Sequence, residues 1–395
     1  MIQLEGVTAL KCLKVLKRLK DAGYEAYIVG GAVRDLLLDL PVSDFDIASS
    51  AHPNEVMKLF KKVIPTGVKH GTVTVVFEDE PFEVTTFRSE KKYDDFRHPS
   101  EVQFLSHIDD DLARRDFTIN SMALSGNGEI VDPFQGRGDL KKGLIRTVGH
   151  ADERFTEDPL RMVRALRFLS VFSFQFEEET IQAIKKHASL LSHIAVERVA
   201  TEFTKLLAGA AVERALKLIV ETGVYSYLPG LDEMKSYLER GMKVSLLETD
   251  EERWAWLAFE VEDPVLFLKK WRLSNDVIKK VQKILSVSKK VQRVGWNRET
   301  VYFARPLDKE SERVLAVVHD RKPTYEHIDL IASALPISSS DMLAVTGEDL
   351  LAWTGQKPGP WVGESLMRIE QAVLKEEVTN EKSSIKRWLE HWQTQ

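Results

Sequence analysis

A single cysteine, Cys12, stands in the 395-residue chain, so no intrachain disulfide and no multi-cysteine zinc site can form. Its neighbours Leu13, Leu16 and Leu19 place it as a buried thiol on an amphipathic helix. Long apolar runs are missing as well, since nothing approaches the roughly 18 residues of a membrane span. The opening Met1-Ile2-Gln3-Leu4-Glu5 has no basic region and no apolar signal region, which predicts a cytoplasmic rather than a secreted chain. Internal repeats and low-complexity tracts are absent. So is a strong charge bias: the net charge of −6 neither requires nor forbids a nucleic-acid partner, because local patches decide that. What is present is 43% hydrophobic residues, enough for real cores, over a length that suits about two to three domains.

The first 150 residues mix two periodicities. Val7 to Ala22 has helical spacing and ends at Gly23. Tyr27-Ile28-Val29 reads as a short buried strand, Val33 to Leu38 as the opening of a helix, and Asp44 to Ala48 as a strand. Pro53 to Lys62 reads as a helix. Thr72 to Phe77 and Phe82 to Phe87 are β-rich runs joined by a hairpin at Glu78-Asp79-Glu80-Pro81. The charged stretch Arg88 to Ser100 reads as a mobile loop, and Ile119 to Leu124 as helical. From about Pro159 onward strand patterns almost vanish. Arg161 to Phe172, Glu179 to His187, Ala195 to Leu207, Val212 to Thr222 and Arg253 to Phe259 all have helical spacing. The expected fold is therefore an α/β head, a mixed sheet with flanking helices, followed by an all-α remainder.

The chemistry concentrates in four motifs. Asp44-Phe45-Asp46 begins 14 residues after the start of Gly30-Gly31-Ala32-Val33-Arg34-Asp35. Alternate strand residues share a face, so both carboxylates can project into one site, where hard oxygens suit Mg²⁺. A Gly-Gly turn into a helix N-terminus lets backbone N–H groups approach a phosphate. Together they suggest phosphoryl or nucleotidyl transfer, with two divalent ions activating a ribose 3′-hydroxyl and stabilising departing pyrophosphate. Asp-x-Asp alone would also describe two solvated surface carboxylates. Glu83 is a third carboxylate on the following strand run, or equally an outward-facing strand residue. Arg114-Arg115-Asp116, followed by Asn120, offers guanidinium forks for a triphosphate, while Asp116 also suits a helix cap.

The last motif is Thr156-Glu157-Asp158-Pro159-Leu160-Arg161, continued by Arg164 and Arg167. Asp158 before Pro159 is an ordinary helix start, and arginines every third residue also suit a solvated face. Base chemistry gives a sharper reading. Cytosine and adenine each present an amino donor beside a ring-nitrogen acceptor, whereas guanine and uracil present the reverse. A carboxylate at Asp158 and a guanidinium at Arg161 would satisfy C or A and leave unpaired groups against G or U.

These motifs, in this order, resemble those of the class II tRNA nucleotidyltransferases, the CCA-adding enzymes of the DNA polymerase beta superfamily. Gly355 to Gly363 is similar to the tail segment of Bacillus-type members. The resemblance implies a catalytic head (1–148), a helical neck that recognises the base (149–206), and a helical body (207–295) and tail (296–395) that bind tRNA. It implies Mg²⁺ on Asp44 and Asp46, and nucleotide on Gly31, Arg34, Arg115, Asp158, Arg161, Arg164 and Arg167. It further implies CTP and ATP as substrates, tRNA as acceptor, no membrane association, and compatibility with a homodimer.

Poly(A) polymerases and enzymes adding only CC or only A share the motifs. The loop after Arg88 favours complete CCA addition, because CC-adding relatives lack much of it. The chain ends modestly at Gln395, without the basic extension usual in poly(A) polymerases. A catalytically dead RNA-binding protein on the same fold is the rival of another class, and the intact Asp44/Asp46 pair argues against it. His319-Asp320 lacks supporting histidine spacing and reads as chance. Lys269, Lys270, Arg272, Lys279, Lys280, Lys283, Lys289, Lys290 and Arg293 make a locally basic stretch for RNA phosphates, or a solvated helix face.

Overall fold

The computed structural model describes residues 4–93 and 99–392. The chain forms two compact units, Met1–Glu239 and Arg240–Gln395. In the first, α1 (Val7–Asp21) buries Ala9, Cys12, Val15, Leu16 and Leu19, the stripe of an amphipathic helix. Burial, with a smaller contribution from Asp46, pushes the Cys12 thiol up to about 12, so it stays protonated and packs as a hydrophobe.

The head continues with β1 (Ala26–Val29), α2 (Gly31–Leu37), β2 (Asp46–Ser49), α3 (Pro53–Leu59) and β3 (Val63–Gly67). Next come β4 (Thr72–Phe77), β5 (Glu80–Thr86), β6 (Arg88–Tyr93), β7 (Pro99–Phe104) and α4 (Ile108–Ala113). It closes with β8 (Ala123–Ser125), β9 (Ile130–Val131), α5 (Gly136–Lys142) and β10 (Leu144–Ile145). The main sheet has the order β3-β4-β5-β2-β1-β8-β9, with β2 and β5 parallel and the other neighbours antiparallel. This mixed sheet puts the C-terminal end of β1 beside the start of β2, where the glycine turn and the acidic pair meet.

Helices then take over: α6 (Ala151–Glu157), α7 (Leu160–Phe172), the short β11 (Gln175–Phe176) paired with β10, α8 (Glu178–His187), α9 (Val196–Leu207), α10 (Val212–Glu221) and α11 (Lys235–Glu239). Leu160, Met162, Val163, Ala165, Leu166, Phe168 and Leu169 of α7 are all buried, and Phe203, Leu206 and Leu207 of α9 are buried too. At roughly 1.5–3 kcal/mol for each large side chain, this packing fixes α7 against α9.

The second unit holds α12 (Asp250–Leu257), α13 (Pro264–Lys270), α14 (Asn275–Val294), α15 (Arg298–Ala304), α16 (Asp308–Val318), α17 (Glu326–Ser333), α18 (Gly347–Thr354), α19 (Pro360–Leu374) and α20 (Lys382–Trp392). Trp254, Trp256 and Trp271 are buried in it. The buried Glu252 takes two hydrogen bonds from Arg313, at 2.8 and 3.0 Å. Gly355, at φ 67°, caps α18, and Pro360 sits in the first turn of α19, so this segment does interrupt the helices. No helix among the described residues is long and apolar enough to cross a membrane.

Several local expectations are corrected. Strand β2 begins at Asp46, so Asp44 lies outside it: β1 stops at Val29, opposite Asp46, and Gly30 turns away, leaving Asp44 no ladder partner there. Arg88–Tyr93 and Pro99–Phe104 form a two-stranded ribbon rather than a loop, while residues 94–98 lie outside those described. A separate ribbon does not require the apolar alternation that marks a strand in sequence. Ile119 to Leu124 is not a helix: it divides between a 3₁₀ turn at Thr118–Asn120 and β8, which pairs with β1 inside the sheet. Ile119, Met122 and Ala123 fall at i, i+3 and i+4, so this turn followed by a buried strand mimics a helix segment. Helix α2 opens at Gly31, two residues early, and α3 ends at Leu59 because Phe60 is extended.

Candidate active site

The turn from β1 into α2 needs glycine at Gly30, whose φ is 70°. A Cβ there would also come within 2.9 Å of Arg115 Nη1, so the turn and that guanidinium are in close contact. Arg34, buried on α2, donates to Asn120 Oδ1 at 2.6 Å and pairs with Asp35 at 2.8 Å. Its guanidinium lies 5.3 Å and 4.7 Å from the ring centres of Phe168 and Phe172.

Across from this turn stand Asp44 and Asp46. Ser43 Oγ donates to Asp44 Oδ2 at 2.9 Å. Burial raises the Asp46 carboxyl above its usual range, Arg115 opposes this, and Asp44 adds to it. The parallel register of β2 and β5 sets Asp46 beside Glu83, whose carboxyl is also raised, first by burial and then by Asp46. Asp46 thus stands between two carboxylates: Asp44, just before the strand, raises it, and it in turn raises Glu83 on the neighbouring strand.

Basic groups line the other side. The buried Asp111 holds Arg114 at 2.9 Å and Arg115 at 3.2 Å. Asp116 accepts from Phe117 N–H at 2.8 Å, from Asn120 Nδ2 at 3.1 Å, and from Arg164 at 2.6 and 2.8 Å. Burial pushes the Asp116 carboxyl up, but Arg164, Asn120 and Arg161 outweigh it and hold the group at about 2. Asp116 therefore joins the head to α7, and the helix it was expected to cap does not exist.

At the start of α7 the N-cap is Pro159 rather than Asp158, yet Asp158 Oδ1 still accepts from Leu160 N–H at 3.1 Å. Arg198 of α9 donates to Asp158 Oδ2 at 2.7 Å. Arg161 pairs with Glu157 at 2.7 Å and donates to the Arg114 carbonyl at 3.1 Å. Arg164 and Arg167 approach Glu202 of α9 at 3.3 and 2.7 Å. The side chains of Arg161, Arg164 and Arg167 are only 10%, 32% and 17% exposed, so the arginine stripe is no open solvated face.

These groups surround one cavity of about 550 Å³. Gly31, Arg34, Asp44, Asp46, Arg115, Asp158, Arg161, Arg164 and Arg167 all line it. Glu83 does not appear in its wall. The sequence missed Lys205, which lines the cavity, and Arg198 and Glu202, which hold its side chains. Their spacing of i, i+4 and i+7 on α9 was the available signal for a shared polar face.

Comparison with known proteins places the chain that carries this cavity. Residues 26–146 match the model of the poly A polymerase head domain. Residues 173–235 match that of a probable RNA- and SrmB-binding site of polymerase A, and residues 246–389 that of a putative tRNA nucleotidyltransferase domain 2. A CCA-adding enzyme of Anoxybacillus flavithermus is 45% identical over 380 residues, 96% of each chain. The chain belongs to the CCA-adding enzyme family. The crystal structure of the Bacillus stearothermophilus CCA-adding enzyme in complex with CTP matches with a TM-score of 0.89 at 40% identity, over 99% of this chain and 98% of that one. A tRNA nucleotidyltransferase complexed with a primer tRNA and an incoming ATP analog matches with a TM-score of 0.61 at 25% identity, over 81% of this chain and 98% of that one.

Nucleotidyl transfer by CCA-adding enzymes depends on a divalent metal ion, and the donor set here fits one. Asp44 and Asp46 offer hard oxygen donors, and burial, with a smaller contribution from Asp44, raises the Asp46 carboxyl, a cost that a bound cation would offset. Among the described residues no group of three or more His, Cys, Asp or Glu is arranged to hold a metal. His319 lies near Gln292, and Asp320 pairs with Lys243, in keeping with a chance dipeptide.

Proposed function

We propose that this protein adds C, C and A to the 3′ end of tRNA, drawing on CTP and ATP and working in the cytoplasm without a nucleic-acid template. The observation that carries this reading is that one cavity joins the acidic pair, a wall of arginines, and the Asp158/Arg161 pair. Asp44 and Asp46 would hold Mg²⁺, which when bound lowers the cost of ionising the RNA 3′-hydroxyl and stabilises the departing pyrophosphate. The 3′-hydroxyl attacks the α-phosphate in line, one P–O bond forms, and the bond to pyrophosphate breaks. The Gly30-Gly31 turn, Arg34 and Arg115 bind the triphosphate and keep its charge compensated. Asp158 accepts from the exocyclic amine of C or A, and Arg161 donates to the neighbouring ring nitrogen. G and U would offer neither group its base partner in a partly buried wall.

The tRNA is held by the second unit. Lys279, Lys283, Lys290 and Arg293 fall along one side of α14, and Lys283 and Lys290 flank the half-exposed Phe303 at 3.6 and 5.2 Å from its ring centre. A basic and aromatic surface of this kind suits an RNA backbone with little sequence readout.

The decisive experiment supplies a tRNA ending at the discriminator base with labelled CTP, ATP or both, and sequences the product ends. CCA is the expected product with both nucleotides. Long tails from ATP alone on arbitrary RNA would make it a poly(A) polymerase, and ends stopping at CC would make it a CC-adding enzyme. No release of pyrophosphate would leave only RNA binding.

A further inference from the structure

An aromatic ring stands in the middle of the arginine wall. Phe168 follows Arg164 by one turn of α7, is 1% exposed, and lines the cavity. Three guanidinium groups lie near its ring centre: Arg167 at 4.2 Å, Arg34 at 5.3 Å and Arg164 at 5.6 Å. Phe172, one turn further on, stacks beside it, with centres 5.9 Å apart and planes 18° from parallel. From the head, Phe117 meets the Phe168 ring nearly at a right angle, with centres 5.6 Å apart. A ring packed from both sides has little freedom to turn.

Three like charges therefore converge on one uncharged side chain. Burial lowers the Arg167 guanidinium, Glu202 opposes this, and Arg164 and Arg34 add to it. Another carboxylate would steady these arginines, but it would also cancel charge that an anion needs. The faces of an aromatic ring attract a guanidinium through the ring quadrupole, most strongly where water is excluded, and leave its charge intact. We propose that Phe168 is a positioning residue for the triphosphate, its ring holding Arg34, Arg164 and Arg167 by cation–π attraction without neutralising them. This rests on the reading of those arginines as triphosphate ligands. A leucine could fill much of the same apolar space, but it has no charged face to offer. Phe168 touches neither Asp158 nor Arg161 in this way, so its effect falls on the triphosphate that all nucleotides share.

The test separates the charge of the ring from its bulk. Phe168 is replaced in turn by monofluoro-, trifluoro- and pentafluorophenylalanine, which strip charge from the ring faces in steps with little change of shape. KM for CTP and for ATP should rise with each step, reaching about 10-fold with five fluorines, while the CTP/UTP ratio of kcat/KM keeps its parental value. Phe168→Leu should raise KM at least as far. The same series at Phe155, buried on α6 with no cation over its ring among the described residues, should leave KM unchanged. A flat series at Phe168, an equal rise at Phe155, or a CTP/UTP ratio that falls along the series would overturn the proposal. Thermal unfolding checks that each enzyme folds, and the monofluoro and trifluoro enzymes carry the test if the pentafluoro one does not. Arg34→Met and Arg167→Met are the separating controls. Parental KM values in both would mean that the triphosphate reading of the arginines fails; raised KM values beside a flat fluorination series would mean that only the role of Phe168 fails.

Discussion

Replacing Asp116 by Asn tests whether the head and α7 are joined by charge. The side chain keeps its shape and one acceptor oxygen but loses its ionisation. Asp116 is 8% exposed, and its carboxyl sits at about 2 against an ordinary 3.8. That difference makes the ionised form worth about 2 kcal/mol to the fold. The variant also leaves Arg164, 32% exposed, with Glu202 at 3.3 Å as its remaining carboxylate, which brings the expected loss to about 3 kcal/mol. Because the folded value is depressed, the contribution is fully present above about pH 4 and is lost as the pH falls through about 2. The parent should therefore lose stability over that window, and the Asn variant should show a flatter profile. All eight tryptophans lie in the second unit, between Trp254 and Trp392, so their fluorescence is blind to this event. Amide hydrogen exchange in α7, measured at pH 7, is the suitable assay, with far-ultraviolet circular dichroism under urea for the acid range. Protection of α7 unchanged within about 0.5 kcal/mol, or an equally steep acid decline in the variant, would refute the proposed strength of this link.

Three further outcomes follow from the same geometry. Asp44→Ala should abolish nucleotide incorporation while tRNA affinity, measured by filter binding, stays within about two-fold; near-normal turnover would remove the metal from this pair. Asp158→Ala and Arg161→Ala should each relax selection against UTP and GTP by about 10- to 100-fold in misincorporation assays, since a buried mismatch costs roughly 1–3 kcal/mol. Exchanging Lys283 and Lys290 together for Gln should raise Kd for tRNA and lower the slope of log Kd against log salt by roughly 1–2, with KM for CTP unchanged; an unaltered slope would leave α14 as an ordinary solvated helix.

Legibility in the sequence followed length and locality. Helices α7, α9 and α10 are long and strongly periodic, and each was readable to within a residue or two of its observed ends. Ile119 to Leu124 was not, because six residues, four of them apolar, carry too little periodicity to separate a 3₁₀ turn and an interior strand from a helix. The glycine turn and Asp46 were readable because their chemistry is local, and Asp44 reaches the cavity even though it lies off the strand. Arg198 and Glu202 were not, since a charge on an amphipathic helix looks the same whether it faces water or a partner. Asp158 and Arg198 are 40 residues apart, and Asp116 and Arg164 are 48 apart. Only the packing of α7 on α9, and of α7 against the head, turns these distant charges into pairs.

That pairing also explains how so many arginines coexist in one wall. Seven cationic side chains line the cavity, and burial alone would drive some toward neutrality or disorder, as the lowered Arg167 guanidinium indicates. Asp111, Asp116, Asp158, Glu157 and Glu202 each hold at least one arginine, so the fork geometry exists before any anion arrives. On the proposed function, an incoming triphosphate would share guanidinium groups that are already charged and oriented, with the side-chain ordering complete in advance. The partners are themselves anionic, which limits how tightly a triphosphate can be held. If the proposed site is right, the enzyme must release pyrophosphate after every addition and accept a new nucleotide in this same cavity, for which a wall of half-compensated arginines would be better matched than a bare cationic one.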